Sequence, residues 1–204
     1  KELSILARQG SGSASRSILG GFVEWNKGKL VDGSDSFATQ IKDESHWKEF
    51  RMIACITTRE AKKIKTRAGM TQTVNTSPMY KSWLETIDAD LNKVREGIIN
   101  KDFETVGKVA QANALKMHAT CFTTIPPIVY WNGKTIEIIH KVLDMQEEGM
   151  NAFFTIDGGP QVKVIVLERD VDKVISKLKE IDGLNEFKIA SPGPAPRITD
   201  QHLF

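Results

Sequence analysis

The sequence predicts an α+β fold on three observations. Short apolar runs come first, a long stretch of helical periodicity follows, and the chain closes strand–helix–strand. The opening residues from Lys1 read as a helix, and Phe22-Val23-Glu24-Trp25 and residues 52–56 are short apolar runs bounded by polar residues or glycine, hence strands. From Ser77 the period changes. Ser77-Pro78 offers a cap followed by a proline in the first turn, and Tyr80, Trp83, Ile87, Leu91, Val94 and Ile98 recur every three or four residues, which predicts a helix over 77–100. A second stripe, Phe103, Val106, Ala110, Ala114, Met117 and Cys121, predicts a helix over 103–120, and the short link Lys101-Asp102 makes the two antiparallel neighbours. Pro126-Pro127 lies beyond it, and a third helix is expected over 135–148, before Gly149. Residues 151–157 and 161–167 are rich in Phe, Val and Ile and predict strands separated by Gly158-Gly159-Pro160. Asp170 is placed to cap a helix over 171–181 that carries Val171, Val174, Ile175, Leu178 and Ile181 on one face. Residues 186–190 give a last strand. The expected architecture is an antiparallel sheet covered on one side by helices. Met70, Met79, Met117 and Met145 are assigned to core filling, and His118, one position off its stripe, to a hydrogen-bonded structural role.

Composition excludes several classes. The 204 residues carry 28 Lys+Arg against 26 Asp+Glu, a net charge of +2, which is no footprint for nucleic acid or an anionic membrane. There is no run of eighteen apolar residues, so no membrane-spanning helix is expected, and the opening residues do not read as a signal peptide. Cys55 and Cys121 are too few for a disulfide framework, so a reducing, cytoplasmic location is expected. Four scattered histidines without a second ligand at metal spacing give no protein metal site.

Three segments carry possible chemistry. Gly10-Ser11-Gly12-Ser13-Ala14-Ser15-Arg16-Ser17 reads either as a flexible linker or as an anion site. In the second reading glycines let backbone N–H groups converge, hydroxyls add donors, a helix starting near Ser13 points its positive end at the ligand, and Arg16 supplies a two-pronged donor. The basic run Lys62-Lys63-Ile64-Lys65-Thr66-Arg67 is ordinarily a solvated loop, and gains meaning if it lies beside the first segment. Asp157 ends an apolar strand next to two glycines. That position suits a catalytic carboxylate, although starting a turn is the commoner use of such an aspartate.

Taken together, Ala7-Arg8-Gln9-Gly10-Ser11-Gly12-Ser13-Ala14-Ser15-Arg16-Ser17, Gly20-Gly21-Phe22-Val23-Glu24-Trp25, Thr66-Arg67-Ala68-Gly69-Met70, Thr76-Ser77, His118-Ala119-Thr120 with Pro126-Pro127, and Thr155-Ile156-Asp157-Gly158-Gly159-Pro160 occur in an order that resembles the mevalonate diphosphate decarboxylases of the GHMP small-molecule kinase superfamily. The resemblance runs from Leu3 to about Ile181. It implies a GHMP-type C-terminal α+β domain over 61–190, a remnant of the N-terminal ATP and substrate domain over 1–60, and a tail over 191–204. It also implies ATP-dependent conversion of mevalonate 5-diphosphate to isopentenyl diphosphate with Mg2+, in a homodimer. Ser11, Gly12, Ser13, Ala14, Ser15 and Arg16 would bind the diphosphate and carboxylate end of the substrate. Thr66 and Arg67 would contact substrate near the transferred phosphate, and Asp157 would act on the C3 hydroxyl.

Two departures stand out. Asp157-Gly158-Gly159-Pro160-Gln161 replaces the family's usual Asp-Ala-Gly-Pro-Asn, and Thr66 stands where serine is common. The family's ATP phosphate loop does not occur in this chain, so the chain is expected not to turn over by itself. A related kinase that only phosphorylates, and a non-catalytic diphosphate-binding module, are the competing readings.

Overall fold

The structure, a computed structural model, describes residues 1–61 and 64–200. Lys62 and Lys63 of the basic run, and the end of the tail from residue 201, lie outside the described residues. The chain divides into two compact units. One is Lys1–Lys48 with the segment from Ser191, and the other is Glu49–Ala190. The division falls twelve residues before the expected one at residue 60, because the strand in between is hydrogen-bonded on both sides within the second unit's sheet.

The first unit comprises α1 (Glu2–Gly10), α2 (Ala14–Ser17) and an antiparallel pair, β1 (Phe22–Trp25) and β2 (Ala38–Lys42). β2 escapes the sequence reading because its five residues show no clean alternation; pairing with β1 makes it a strand. Ser4 ties the elements together from a buried position. Its hydroxyl donates to Ser15 O at 3.0 Å and accepts from Ala38 N–H at 2.8 Å. Gly21, at φ 71°, takes a left-handed turn open to glycine and donates its N–H to Gly193 O, which fixes the returning tail in this unit.

The second unit is built on a four-stranded antiparallel sheet in the order β4–β5–β3–β6, formed by β3 (Phe50–Cys55), β4 (Phe153–Ile156), β5 (Val162–Leu167) and β6 (Phe187–Ala190). Four helices, α3 (Thr66–Thr76), α4 (Tyr80–Asn100), α5 (Phe103–Phe122) and α6 (Gly133–Glu147), lie between β3 and β4, and α7 (Val171–Leu178) between β5 and β6. Alternation sends Ile53, Cys55, Phe154, Ile156, Val162 and Val164 to one face, where they close the core with Ile138, Val142 and Met145 of α6 and Val174 and Leu178 of α7. The expected one-sided cover is incomplete as a description. Phe153, on the opposite face of β4, packs on α5, its ring 5.7 Å from that of Phe103 and pressed against Gly107, where any Cβ would overlap it.

Local chemistry accounts for most boundaries. Lys101, at φ 55°, closes α4 in the left-handed conformation, and the Asp102 carboxylate then accepts the Thr105 N–H to start α5, so two residues turn the chain back. Asn132 and Thr135 form a reciprocal capping box at α6. Ser77 does not cap α4; its hydroxyl pairs with that of Thr123 at 2.8 Å, and the helix begins at Tyr80. Asp170 occupies the N-cap position of α7 but makes no side-chain cap bond and meets Arg169 instead. Met70 and Met79 are exposed, contrary to their assignment to the core, because α3 and the start of α4 present those positions to solvent. Met145 is buried and Met117 half-buried.

Candidate active site

β4 delivers the chain into a tight turn at Asp157, closed by the Gly159 N–H donating to Asp157 O at 2.7 Å. The Asp157 carboxylate is 89% exposed, and its Oδ2 accepts from Lys163 Nζ at 2.8 Å. Lys163 lies on β5 directly across from Thr155, so strand alternation brings its ammonium to Asp157, two residues further along the chain and just past the end of β4. Asp157 Oδ1 has no protein hydrogen bond among the described residues, and can therefore accept one from a ligand. Sequence reasoning missed Lys163. Its signal was available: a lone lysine interrupting the apolar run Val162-Lys163-Val164 must aim its charge at something specific or at water.

Thr66 and Arg67 occupy the first turn of α3, a helix not anticipated from the sequence. Both side chains are exposed, and Arg67 forms no ion pair among the described residues. The structure brings this turn to the Asp157 turn. A Cβ built on Gly158 would lie 3.8 Å from Tyr130 Cε2 and 3.9 Å from Thr66 Cγ2, so Thr66, Tyr130 and Gly158 meet. Those are ordinary contact distances, which means that a methyl group at position 158 would fit against Tyr130 and Thr66 without displacing either.

Beneath the turn lies His118, fully buried, its ring 4.9 Å from that of Trp131 and 6.1 Å from that of Phe122. The expected hydrogen bonds are missing. Neither ring nitrogen has a partner in bonding geometry among the described residues, although both the Ile156 and Asp157 backbones are close enough to influence it. Burial pushes the imidazole below its ordinary value, against the pull of those backbone groups and of the Asp157 charge. The ring is thus a neutral, apolar-walled support for the turn that carries Asp157.

A cavity of about 330 Å³ opens between α4 and α5 and reaches the end of β4, with Ile87, Leu91, Val94, Ala114 and Met117 on its walls and Asp157 among its lining residues. It explains why the α4 stripe, expected to be core, is half-exposed. The helices are held across it by Asp90, which accepts from Lys116 Nζ at 2.7 Å and Asn113 Nδ2 at 2.9 Å. Partial burial opposes ionisation of Asp90, but these bonds outweigh it and hold the carboxyl below its usual range.

The Ser/Gly/Arg segment belongs to the first unit. Gly12 lies close against the Trp25 indole, and a Cβ there would come within 2.5 Å of Cη2, so a larger residue would have to displace that ring. Ser15 is buried and its hydroxyl donates to Gly12 O at 2.7 Å, so it shapes the turn, while Ser11 and Ser13 are exposed with their hydroxyls 3.1 Å apart. Arg16 is exposed and makes no ion pair among the described residues. The helix expected near Ser13 is the single turn α2, too short to present a useful dipole. Any anion held here is left to the Ser11 and Ser13 hydroxyls and to Arg16. Ala14 opens that turn and is half-buried. Among the described residues no three His, Cys, Asp or Glu side chains are grouped to hold a metal ion, and no helix is long and apolar enough to cross a membrane.

An antiparallel α+β domain of GHMP type, with an exposed carboxylate at the end of a strand and Thr66 near the same turn, is the class that this fold and site define. Residues 52–191 match the model of the mevalonate 5-diphosphate decarboxylase C-terminal domain, residues 1–38 match that of the diphosphomevalonate decarboxylase-like N-terminal domain, and the chain belongs to this family. It is 36% identical over 187 residues to the diphosphomevalonate decarboxylase of Aspergillus fumigatus, covering 90% of this chain and 46% of that protein. Among solved structures, it superposes on mevalonate diphosphate decarboxylase from Staphylococcus aureus with a TM-score of 0.87 at 37% identity, covering 95% of this chain and 58% of the other. A complex of MDDEF with MVAPP, AMPPCP and magnesium gives a TM-score of 0.88 at 38% identity, with coverage of 96% and 59%. The chain thus spans about half the length of the curated relatives it matches.

Proposed function

We propose that this chain is part of an enzyme that decarboxylates mevalonate 5-diphosphate at the expense of ATP, giving isopentenyl diphosphate, ADP, phosphate and carbon dioxide. The observation that carries the reading is the exposed Asp157 carboxylate, fixed at the end of β4 beside Thr66 and held at one oxygen by Lys163. A tertiary hydroxyl is a poor leaving group, so it must first become a phosphate ester. Asp157 Oδ1 accepts the hydroxyl hydrogen bond and aims the C3 oxygen at the transferred phosphoryl group. The P–O bond to the nucleotide breaks as the new one forms, and the proton goes to Asp157 or through it to solvent. The C3–O bond then breaks with release of phosphate, the C1–C2 bond breaks with release of carbon dioxide, and the electron pair of the latter becomes the C2–C3 double bond. Thr66 and Arg67 hold the phosphoryl group, while Ser11, Ser13 and Arg16 bind the substrate's diphosphate, with Gly12, Ala14 and Ser15 shaping their turn.

Magnesium supplies charge neutralisation on the phosphates when bound. The donor set here fits an ion carried on phosphate oxygens, since no carboxylate cluster is present among the described residues to cage one. The reading also includes a cytoplasmic homodimer. Two buried free thiols support a reducing compartment, with burial pushing Cys55 up to about 12 and so away from reactive thiolate. Sedimentation of the full-length protein tests the dimer. The activity is tested by following label from C1 of mevalonate 5-diphosphate into carbon dioxide in the presence of ATP and magnesium; phosphorylation without that release would leave a kinase in its place.

A further inference from the structure

The cavity between α4 and α5 has a lining unlike the anion-binding groups of the proposed reaction. Its volume comes from unequal walls. α4 lines it with Ile87, Leu91 and Val94, whereas α5 contributes Ala110 and Ala114, whose single side-chain carbon leaves space between the helices unfilled. Asp90 and Asp157 are the charged residues of the lining, and both are acidic. Lys116 and Lys163, which pair with them, are not among the lining residues. Each pairing engages one oxygen. Asp90 accepts from Lys116 and Asn113 at Oδ2 and Asp157 accepts from Lys163 at Oδ2, so the Oδ1 of each is left to accept from a ligand. The Thr155 hydroxyl, also of the lining, has no hydrogen bond among the described residues.

From this lining we infer a second ligand site, one that takes an aliphatic primary amine in its ammonium form. The chain lies between α4 and α5, and the ammonium donates to Asp157 Oδ1 and Thr155 Oγ1. A carboxylate or phosphate on the same chain would meet two acidic groups and no cation, which sets this site apart from one for the diphosphate substrate. The size agrees. An apolar cavity of about 150 Å³ takes up benzene, so this one, at about 330 Å³, holds a chain of about six to eight carbons. Complete burial of one methylene group is worth about fourfold in affinity. Occupancy takes Asp157 Oδ1, the oxygen offered to the C3 hydroxyl, so amine and substrate exclude each other. That consequence rests on the proposed reaction, whereas the binding does not.

The test uses the full-length protein and n-hexylammonium as probe, with n-hexanoate as the anion of equal chain length. Each is titrated calorimetrically and then added to the carbon dioxide assay. Hexylammonium should bind with a Kd of about 1 mM or tighter, and each methylene from butyl to hexyl should tighten binding about two- to fourfold. Hexanoate should bind at least about tenfold more weakly. Ala110→Leu fills the cavity from its α5 wall, so it should weaken the amine at least about tenfold and keep kcat within about twofold. If leucine unfolds the protein, the smaller filling Ala114→Val should act in the same direction. Asp157→Asn should weaken the amine about three- to fivefold, the scale of one exposed ion pair. In the assay hexylammonium should raise KM for the diphosphate substrate without lowering kcat, and Ala110→Leu should abolish that inhibition. No binding, equal binding of amine and carboxylate, or binding unchanged in a folded cavity-filled variant overturns the site. Binding in the expected pattern without inhibition overturns the shared oxygen. Binding in that pattern by a protein that releases no carbon dioxide sinks the proposed reaction and leaves the site standing.

Discussion

Replacing Lys163 by methionine keeps most of the side-chain stem and removes the ammonium that meets Asp157 Oδ2 at 2.8 Å. Because Asp157 is 89% exposed, water screens the pair, and exposed ion pairs contribute about 0.2–1 kcal/mol. Unfolding stability should therefore fall by no more than about 1 kcal/mol. Turnover responds to the same energy in another way. An interaction of about 1 kcal/mol favours one side-chain orientation about fivefold over its competitors. Without it, Asp157 presents Oδ1 to the C3 hydroxyl correspondingly less often, and kcat should drop about three- to fivefold while KM changes little. The assay is steady-state release of phosphate and carbon dioxide by full-length Lys163→Met, alongside thermal unfolding of the same preparation. An unchanged kcat would mean that the pair does not orient Asp157. A loss of about a hundredfold or more, on the scale of removing a general base, would mean that Lys163 itself touches the reacting groups. Either result breaks the reasoning.

Two further outcomes follow from the same neighbourhood. Gly158→Ala introduces a methyl group at ordinary contact distance from Tyr130 and Thr66, at a position with no left-handed backbone. It should stabilise the protein by about 0.4–1 kcal/mol through the unfolded chain, seen as a raised Tm, and a lowered Tm would show that the space is not there. For His118, burial lowers the native value from its ordinary 6.5, so the unfolded chain binds more protons below that pH, and stability should fall as pH drops from 6.5 toward the lowered value. Tm measured from pH 7 to 5 should fall less steeply for His118→Phe than for wild type, and parallel curves would rule out a buried neutral imidazole.

Periodicity made α5, α6, α7 and the β4–β5 pair readable, because each buries one face against a shared core and its apolar spacing records that burial. α3 was not readable. Thr-Arg-Ala-Gly-Met-Thr-Gln-Thr carries no apolar stripe, and the helix buries only Gly69 and Thr73. Ser77 looked like a cap until a partner 46 residues away, Thr123, claimed its hydroxyl. Asp157 was legible as a carboxylate at a strand end, and the order of motifs lifted it above a turn residue. Its surroundings were not legible. Lys163 is marked by its place in an apolar run, but its meeting with Asp157 follows from cross-strand register, and His118 of α5 and Tyr130 of the link after α5 come together only through tertiary packing.

The most direct test of the account is Asp157→Asn in the full-length protein, assayed in parallel for phosphate and carbon dioxide release from mevalonate 5-diphosphate and ATP. Asparagine keeps the shape and suits the turn, but loses the charge and the basicity. If Asp157 orients and deprotonates the C3 hydroxyl, both products should fall together by about 10²–10⁴-fold, with KM for the diphosphate substrate nearly unchanged. Near-normal release of both would contradict the catalytic role, and with it the reading of this domain as the site of decarboxylation.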